Sequence, residues 1–87
     1  MKITVDKKDI KRGTKKECDL CPITWAISKI KGITNIYTYQ NNIRFEYKNK
    51  SYKRKLPKIA REFILDFDLN LFGGIKIKPF SFNIRKI

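Results

Sequence analysis

The chain has 87 residues and a mass of 10.4 kDa, which is too small for two independent cores, so we expect one domain spanning residues 1–87. Hydrophobic residues make up 41% of it and aromatic residues 13%, which supports a packed core and excludes a disordered tail. Histidine is absent, which removes the usual general acid and base and the commonest metal ligand, and we expect neither an enzyme nor a bound cofactor.

The net charge of +13 predicts an anionic partner, either a nucleotide or a nucleic acid. The alternative is a lysine-coated surface that only keeps a small protein soluble. Charged residues begin at the second position, and the first residues contain no apolar stretch typical of a targeting signal. No window approaches the roughly 18 apolar residues of a membrane span. We therefore expect a cytoplasmic protein that does not bind membranes.

Alternation of apolar and polar residues predicts a first strand around Ile3 and Val5. Asp9 is expected to cap a brief helical turn that ends at Gly13, and residues 14–21 are expected to form a loop. A helix is predicted from Pro22, which suits the first helical position, to Gly32. Its apolar residues recur at helical spacing: Ile23, Ala26, Ile27 and Ile30.

Three further strands are predicted at residues 33–40, 43–47 and 52–56, joined by turns at residues 41–42 and 48–51. Pro57 is expected to open a second helix, ended by residues 70–74, with Ile59, Phe63 and Phe67 on one face. In the last segment the apolar alternation shifts by one residue at Pro79, which predicts a bulge or bend in a final strand. The order β-α-β-β-β-α-β predicts an α+β fold, with one mostly antiparallel sheet of about five strands and two helices packed on it.

Cys18 and Cys21 have the spacing of half a zinc site, but the chain has no further cysteine to complete it. A complete site would need a second copy of the chain. A redox pair is the other functional alternative, because the start of a helix lowers the pKa of a thiol. The third interpretation is a pair of inert structural thiols, and for this reason we expect no metal.

The densest basic cluster surrounds two tyrosines, Tyr47 and Tyr52, and alternation along a strand places cations on both of its faces. The cluster consists of Lys48, Lys50, Lys53, Arg54, Lys55 and Lys58. One interpretation is an edge strand that lysines protect from aggregation. The other is an anion-binding ridge, where lysines meet phosphates and tyrosine or arginine planes stack on bases.

A second basic group lies near the amino terminus. Its two interpretations are the opposite wall of the same groove and a simple solvated face. The group consists of Lys7, Lys8, Lys11, Arg12, Lys15 and Lys16. Tyr37 and Tyr39 are expected to project from one side of a strand. This arrangement is typical of a sheet that stacks bases, and equally of an ordinary tyrosine-lined sheet. We therefore predict the ligand-binding residues to be Lys50, Tyr52, Lys53, Arg54, Lys55, Tyr37, Tyr39 and Arg12.

Short motifs at both ends of the chain resemble small, mostly uncharacterised proteins of bacteriophages and mobile elements. They are the opening strand 3–5 with residues 9–13, the helix start Cys21-Pro22-Ile23, and the closing segment 79–82. The resemblance implies a phage-borne accessory protein, acting in the host cytoplasm, of the kind that blocks host immunity by binding a nucleotide signal, a nuclease or a nucleic acid.

Three functional hypotheses follow. The first is a non-enzymatic protein that sequesters a phosphate-bearing nucleotide signal in a basic pocket between subunits of a homo-oligomer. The second is a nucleic-acid-binding protein without sequence preference. The third is an inhibitor that docks on a host defence protein, with Trp25 and the tyrosines as anchors.

Overall fold

The computed structural model describes residues 1–14, 17–69 and 77–85. It contains the strands β1 (Lys2–Val5), β2 (Ile33–Thr38), β3 (Asn42–Tyr47), β4 (Lys50–Lys55) and β5 (Phe80–Asn83). Its helices are α1 (Lys7–Arg12), α2 (Pro22–Ser28) and α3 (Lys58–Leu69). Lys15, Lys16 and the segment 70–76, which includes the predicted end of the second helix, lie outside the described residues.

The α+β class and the strand order are confirmed, but the strands form two antiparallel sheets where the sequence predicted one. One sheet has the order β2-β3-β4, and the other pairs β1 with β5. The two ends of the chain meet in the smaller sheet, where the Met1 ammonium group donates a hydrogen bond of 2.7 Å to the carbonyl oxygen of Ile84. Alternation along a strand shows which face is buried, but it does not show which strand is the neighbour.

The first helix is capped by Asp6, and the prediction that Asp9 caps it is wrong. Asp6 has extended backbone angles and its carboxylate accepts from the Asp9 amide, while Asp9 accepts from the Asp6 amide. This reciprocal arrangement is a capping box, in which the capping residue and the acidic residue three positions later each accept a hydrogen bond from the other's backbone amide. Asp9 is buried and is paired with the ammonium group of Lys29 at 2.8 Å.

The middle of the chain forms the predicted pair of hairpins, with small changes at their ends. The turn between β3 and β4 contains only Lys48 and Asn49, which both have positive φ angles, of 50° and 62°. A two-residue turn with positive φ at both positions fits the right-handed twist of the two strands that it joins. The turn is therefore shorter than predicted, and β4 begins at Lys50 and not at Tyr52. The pairing of β2 with β3 is irregular between Thr34 and Tyr37.

A single apolar core joins the helices to both sheets. Ile23 and Ile27 of α2 are fully buried, and this helix contacts β1 and β2. The helix ends at Ser28, earlier than predicted, although Ile30 still packs against the core. Phe63 of α3 packs on Phe80 of β5, with ring centroids 4.6 Å apart.

Two predictions about the second half of the core are wrong. Ile59 is 51% exposed, and Ala60 instead takes the buried position in the first turn of α3 beside Phe63, Ile64 and Phe67. Pro79 does not bend a strand, because β5 begins at Phe80, directly after it. Proline lacks the N–H that a ladder needs, so it precedes the strand.

Candidate nucleic-acid interface

The outer face of the three-stranded sheet, the face turned away from the core, carries a row of three side chains, one from each strand. Tyr37 on β2 pairs with Arg44 on β3, and Arg44 pairs with Lys53 on β4. All three side chains are exposed. On β3, Arg44 faces outward because its two neighbours, Ile43 and Phe45, are buried on the opposite face. Adjacent strands lie about 4.8 Å apart, so the row spans roughly 10 Å of surface.

This row lies in a shallow cavity of about 430 Å³ on the outer face, which we call the tyrosine groove. Tyr37 and Tyr39 are 42% and 40% exposed. The guanidinium carbon of Arg44 lies 5.6 Å from the ring centroid of Tyr39, which is a cation–π contact. The groove is lined by Asn35, Tyr37, Tyr39, Arg44, Phe45, Glu46, Ser51, Tyr52 and Lys53.

A second cavity, also of about 430 Å³, lies where β4 leads into α3, and we call it the cationic cavity. It shares Lys53 with the tyrosine groove, and it is lined by Asn41, Asn42, Lys53, Lys55, Leu56 and Arg61. A smaller cavity of about 250 Å³ follows, and it shares Asn41 and Arg61 with the second. The three depressions therefore form one path from exposed aromatic rings to a cluster of cations.

The structure separates the cations of β4 onto two faces. Lys53 and Lys55 face outward, whereas Arg54 pairs with buried Ile43 and so lies on the other face. Arg54 donates from Nε to the carbonyl oxygen of Arg85 at 3.2 Å, and its Cζ lies 5.2 Å from the ring centroid of Tyr52. Arg54 thus serves contacts within the chain.

Tyr52 and Lys50 share that second face with Arg54. The ring of Tyr52 stacks on buried Phe45 at a centroid distance of 5.6 Å, so little of it is available to a base. Lys50 is exposed and pairs with Tyr47, beyond the lining of the tyrosine groove. Because β4 is the edge of its sheet, its lysines also oppose the pairing of this strand with another chain.

The basic residues of α1 do not form an opposite wall of the tyrosine groove, whose lining comes from the β2–β4 region alone. The guanidinium carbon of Arg12 lies 5.3 Å from the ring centroid of Trp25 on α2. Trp25 is half-buried under this contact. Sequence reasoning therefore predicted a contribution from Arg12 that the structure locates on a different surface.

Sequence reasoning missed five residues of the lining of the tyrosine groove: Asn35, Arg44, Phe45, Glu46 and Ser51. Arg44 had a usable signal, because it alternates with buried Ile43 and Phe45 and must face outward. No sequence pattern indicated Asn35, because its position in the groove depends on the irregular pairing of β2 with β3.

The two cysteines are free thiols beside a different cavity. Burial raises the pKa of Cys21 to about 11, which is opposite to the lowering expected from its position at the start of α2. The thiolate that metal binding or redox chemistry needs is thus disfavoured. Within residues 1–14, 17–69 and 77–85 of one chain, no three acidic, cysteine or histidine residues form a group that could hold a metal ion.

No protein-family profile matches the chain, and no curated protein or solved structure is significantly similar to it. The resemblance of its ends to phage accessory proteins stays a prediction. Across the described part of the chain, none of the helices has the length and apolar character required to cross a bilayer.

Proposed function

We propose that the protein binds single-stranded nucleic acid on the outer face of its three-stranded sheet. Tyr37 and Tyr39 stack on unpaired bases, and the phosphates lie against Arg44, Lys53 and the cationic cavity. The observation that carries this proposal is the presence of two exposed tyrosine rings and two cations in one groove. Aromatic rings that stack on bases beside cations that track a backbone are the typical combination for binding single strands.

The rings are suited to unpaired bases for a physical reason. An exposed tyrosine ring makes its largest contact with a base when the base presents its own flat face, as in stacking. Bases in a duplex are stacked on one another and do not present that face. Each stacked base contributes about 1–3 kcal/mol, independently of its identity.

The path of cavities favours a chain of linked nucleotides over a single one. Lys53 stands at the junction of the tyrosine groove and the cationic cavity. Beyond it, Lys55 and Arg61 line the second cavity. Arg61 also lines the third, together with Lys58 and Glu62, which form an ion pair of 3.7 Å. A ligand with one base and one phosphate group fills only the first part of this path, whereas successive phosphates fill it all.

Fluorescence anisotropy with labelled oligothymidines of increasing length tests the proposal. Replacing both tyrosines, as Tyr37→Thr with Tyr39→Thr, is expected to weaken binding of a long oligomer by about 30-fold or more, since two stacked bases are lost. The matched control, Tyr37→Phe with Tyr39→Phe, keeps both rings and is expected to bind like the unmodified protein. Equal affinity for duplex and single strand, or binding that survives the threonine variant, contradicts the proposal.

A single phosphate-bearing nucleotide is the second candidate, because the tyrosine groove has the volume of a small-ligand site. In this alternative the protein sequesters a nucleotide signal, as the resemblance to phage accessory proteins implies. Affinity that is complete with a mononucleotide and does not increase with oligomer length would favour it. Native mass spectrometry of the same samples measures whether a second copy of the chain completes the site.

A further inference from the structure

Glu46 is the one carboxylate in the lining of the tyrosine groove. It is half-buried on β3, two residues from Arg44 and on the same face, where it pairs with Thr34 on one side and Ser51 on the other. A carboxylate repels phosphates, so Glu46 weakens the attraction of the groove for a backbone. Its chemistry instead suits the donor groups at the edge of a base, because an ionised carboxylate only accepts hydrogen bonds.

Asn35 holds this carboxylate in place. Its side-chain Nδ2 donates a hydrogen bond of 2.9 Å to Oε2 of Glu46. Asn35 has a φ of 48°, in the left-handed region, at the point where the pairing of β2 with β3 is irregular. Asparagine adopts this region more readily than other non-glycine residues, which makes it suited to this position.

The hydrogen bond from Asn35 fixes the direction of the Glu46 carboxylate and still leaves it capacity to accept. Each carboxylate oxygen can accept two hydrogen bonds, so Oε2 can accept a second one beside that from Asn35, and Oε1 can accept a hydrogen bond from another donor. Two oxygens side by side match a ligand edge with two neighbouring N–H groups. This bidentate geometry is the strong form of hydrogen bonding to a carboxylate.

Resting on the proposed binding of single strands, we propose that Glu46, oriented by Asn35, selects guanine for the tyrosine groove. The Watson–Crick edge of guanine carries two adjacent donors, N1–H and the N2 amino group. Adenine and cytosine place an acceptor next to their amino group, and thymine or uracil flanks its one N–H with two carbonyl oxygens. Those acceptors meet the carboxylate with repulsion, so only guanine satisfies both oxygens.

The test is competition by oligothymidines that differ at one central position. Replacement of the central thymine by guanine is expected to tighten binding by at least about fivefold, the lower end of discrimination by a good bidentate contact. Adenine and cytosine at that position are expected to give no such gain. Inosine, which keeps N1–H and lacks the N2 amino group, is expected to lose most of the gain.

Two variants assign the effect to the carboxylate. Glu46→Gln is expected to abolish the preference for guanine while binding of plain oligothymidine is retained or strengthened, because a negative charge leaves the groove. Asn35→Gly removes the orienting amide and is expected to reduce the preference in the same way. Asp66→Asn removes a carboxylate from an exposed position on α3 and is expected to leave the preference intact.

The outcomes separate this inference from the function on which it rests. Equal affinity for all five oligonucleotides, or a guanine preference that persists in Glu46→Gln, overturns the selection of guanine and leaves single-strand binding standing. Failure of the unmodified protein to bind any of the oligonucleotides overturns both. Thermal unfolding of each variant, followed by circular dichroism, confirms that the compared proteins are folded.

Discussion

Replacement of Lys53 by glutamine provides the sharpest test of the path from the tyrosine groove to the cationic cavity, because Lys53 lines both. The two cavities together contain four cations: Arg44, Lys53, Lys55 and Arg61. Each phosphate contact to a single strand contributes about 0.7 to the slope of log affinity against log salt, so four contacts give a slope of about −2.8. Affinity is then expected to fall about 50-fold between 50 and 200 mM salt.

The Lys53→Gln variant is expected to reduce this slope to about −2.1, with a fall of about 20-fold over the same range. Lys50→Gln is the matched control, since Lys50 is exposed on the same strand but does not line either cavity. It is expected to keep the slope of the unmodified protein. Anisotropy titrations of one oligothymidine at four salt concentrations measure all three slopes. Identical slopes for the unmodified protein and Lys53→Gln, or an equal reduction by both variants, would refute the assignment of phosphates to this path.

The remaining predictions concern stability and reactivity. The buried hydroxyls of Thr24 and Thr38 lie 2.8 Å apart. Thr24→Val is therefore expected to lower the free energy of unfolding, measured with denaturant, by about 1–2 kcal/mol. The double variant with Thr38→Val is expected to lose less than the sum of the losses of the two single variants. The hydrogen bond to Asp9 raises the pKa of Lys29 above its usual 10.5, so that stabilisation is complete below pH 10.5 and is lost as the pH rises through the folded value. Over the range from neutral to alkaline pH, thermal melts are expected to show the unmodified protein losing stability relative to Lys29→Met only above pH 10.5; parallel curves over that range would contradict this. Because burial raises the pKa of Cys21 to about 11, iodoacetamide at pH 8 is expected to alkylate it on the order of 100-fold more slowly in the native than in the unfolded protein, and equal rates by mass spectrometry would disprove the burial of this thiol.

Much of the local structure was predictable because short-range physics determines it. The helix starting at Pro22 and the strand containing Ile43 and Phe45 follow from a fixed proline φ and from alternation with a period of two. Alternation also correctly predicted cations on both faces of β4, where Lys53 and Arg54 lie on opposite sides. These features depend on neighbours within a few residues, which the sequence displays directly.

The candidate site was only half predictable. Tyr37, Tyr39 and Lys53 were identified from spacing and composition, and they do lie in one groove. Tyr52 also lines the groove, although its ring stacks on buried Phe45. Arg54 was included with them because a cluster in sequence does not show which of its members make contacts within the chain. Arg12 was included because nothing in the sequence shows that α1 packs on α2 and turns this arginine towards a tryptophan.

The sequence by itself determined the charge, the α+β class, the strand order and the residues that alternate outward on the central hairpins. The tertiary structure alone decided that the first and last strands pair with each other, and that Arg44 and Glu46 join the tyrosines in one groove. Strand pairing and groove formation depend on contacts between distant parts of the chain. Periodicity, which reports only the direction of each side chain relative to its own strand or helix, contains no information about those contacts.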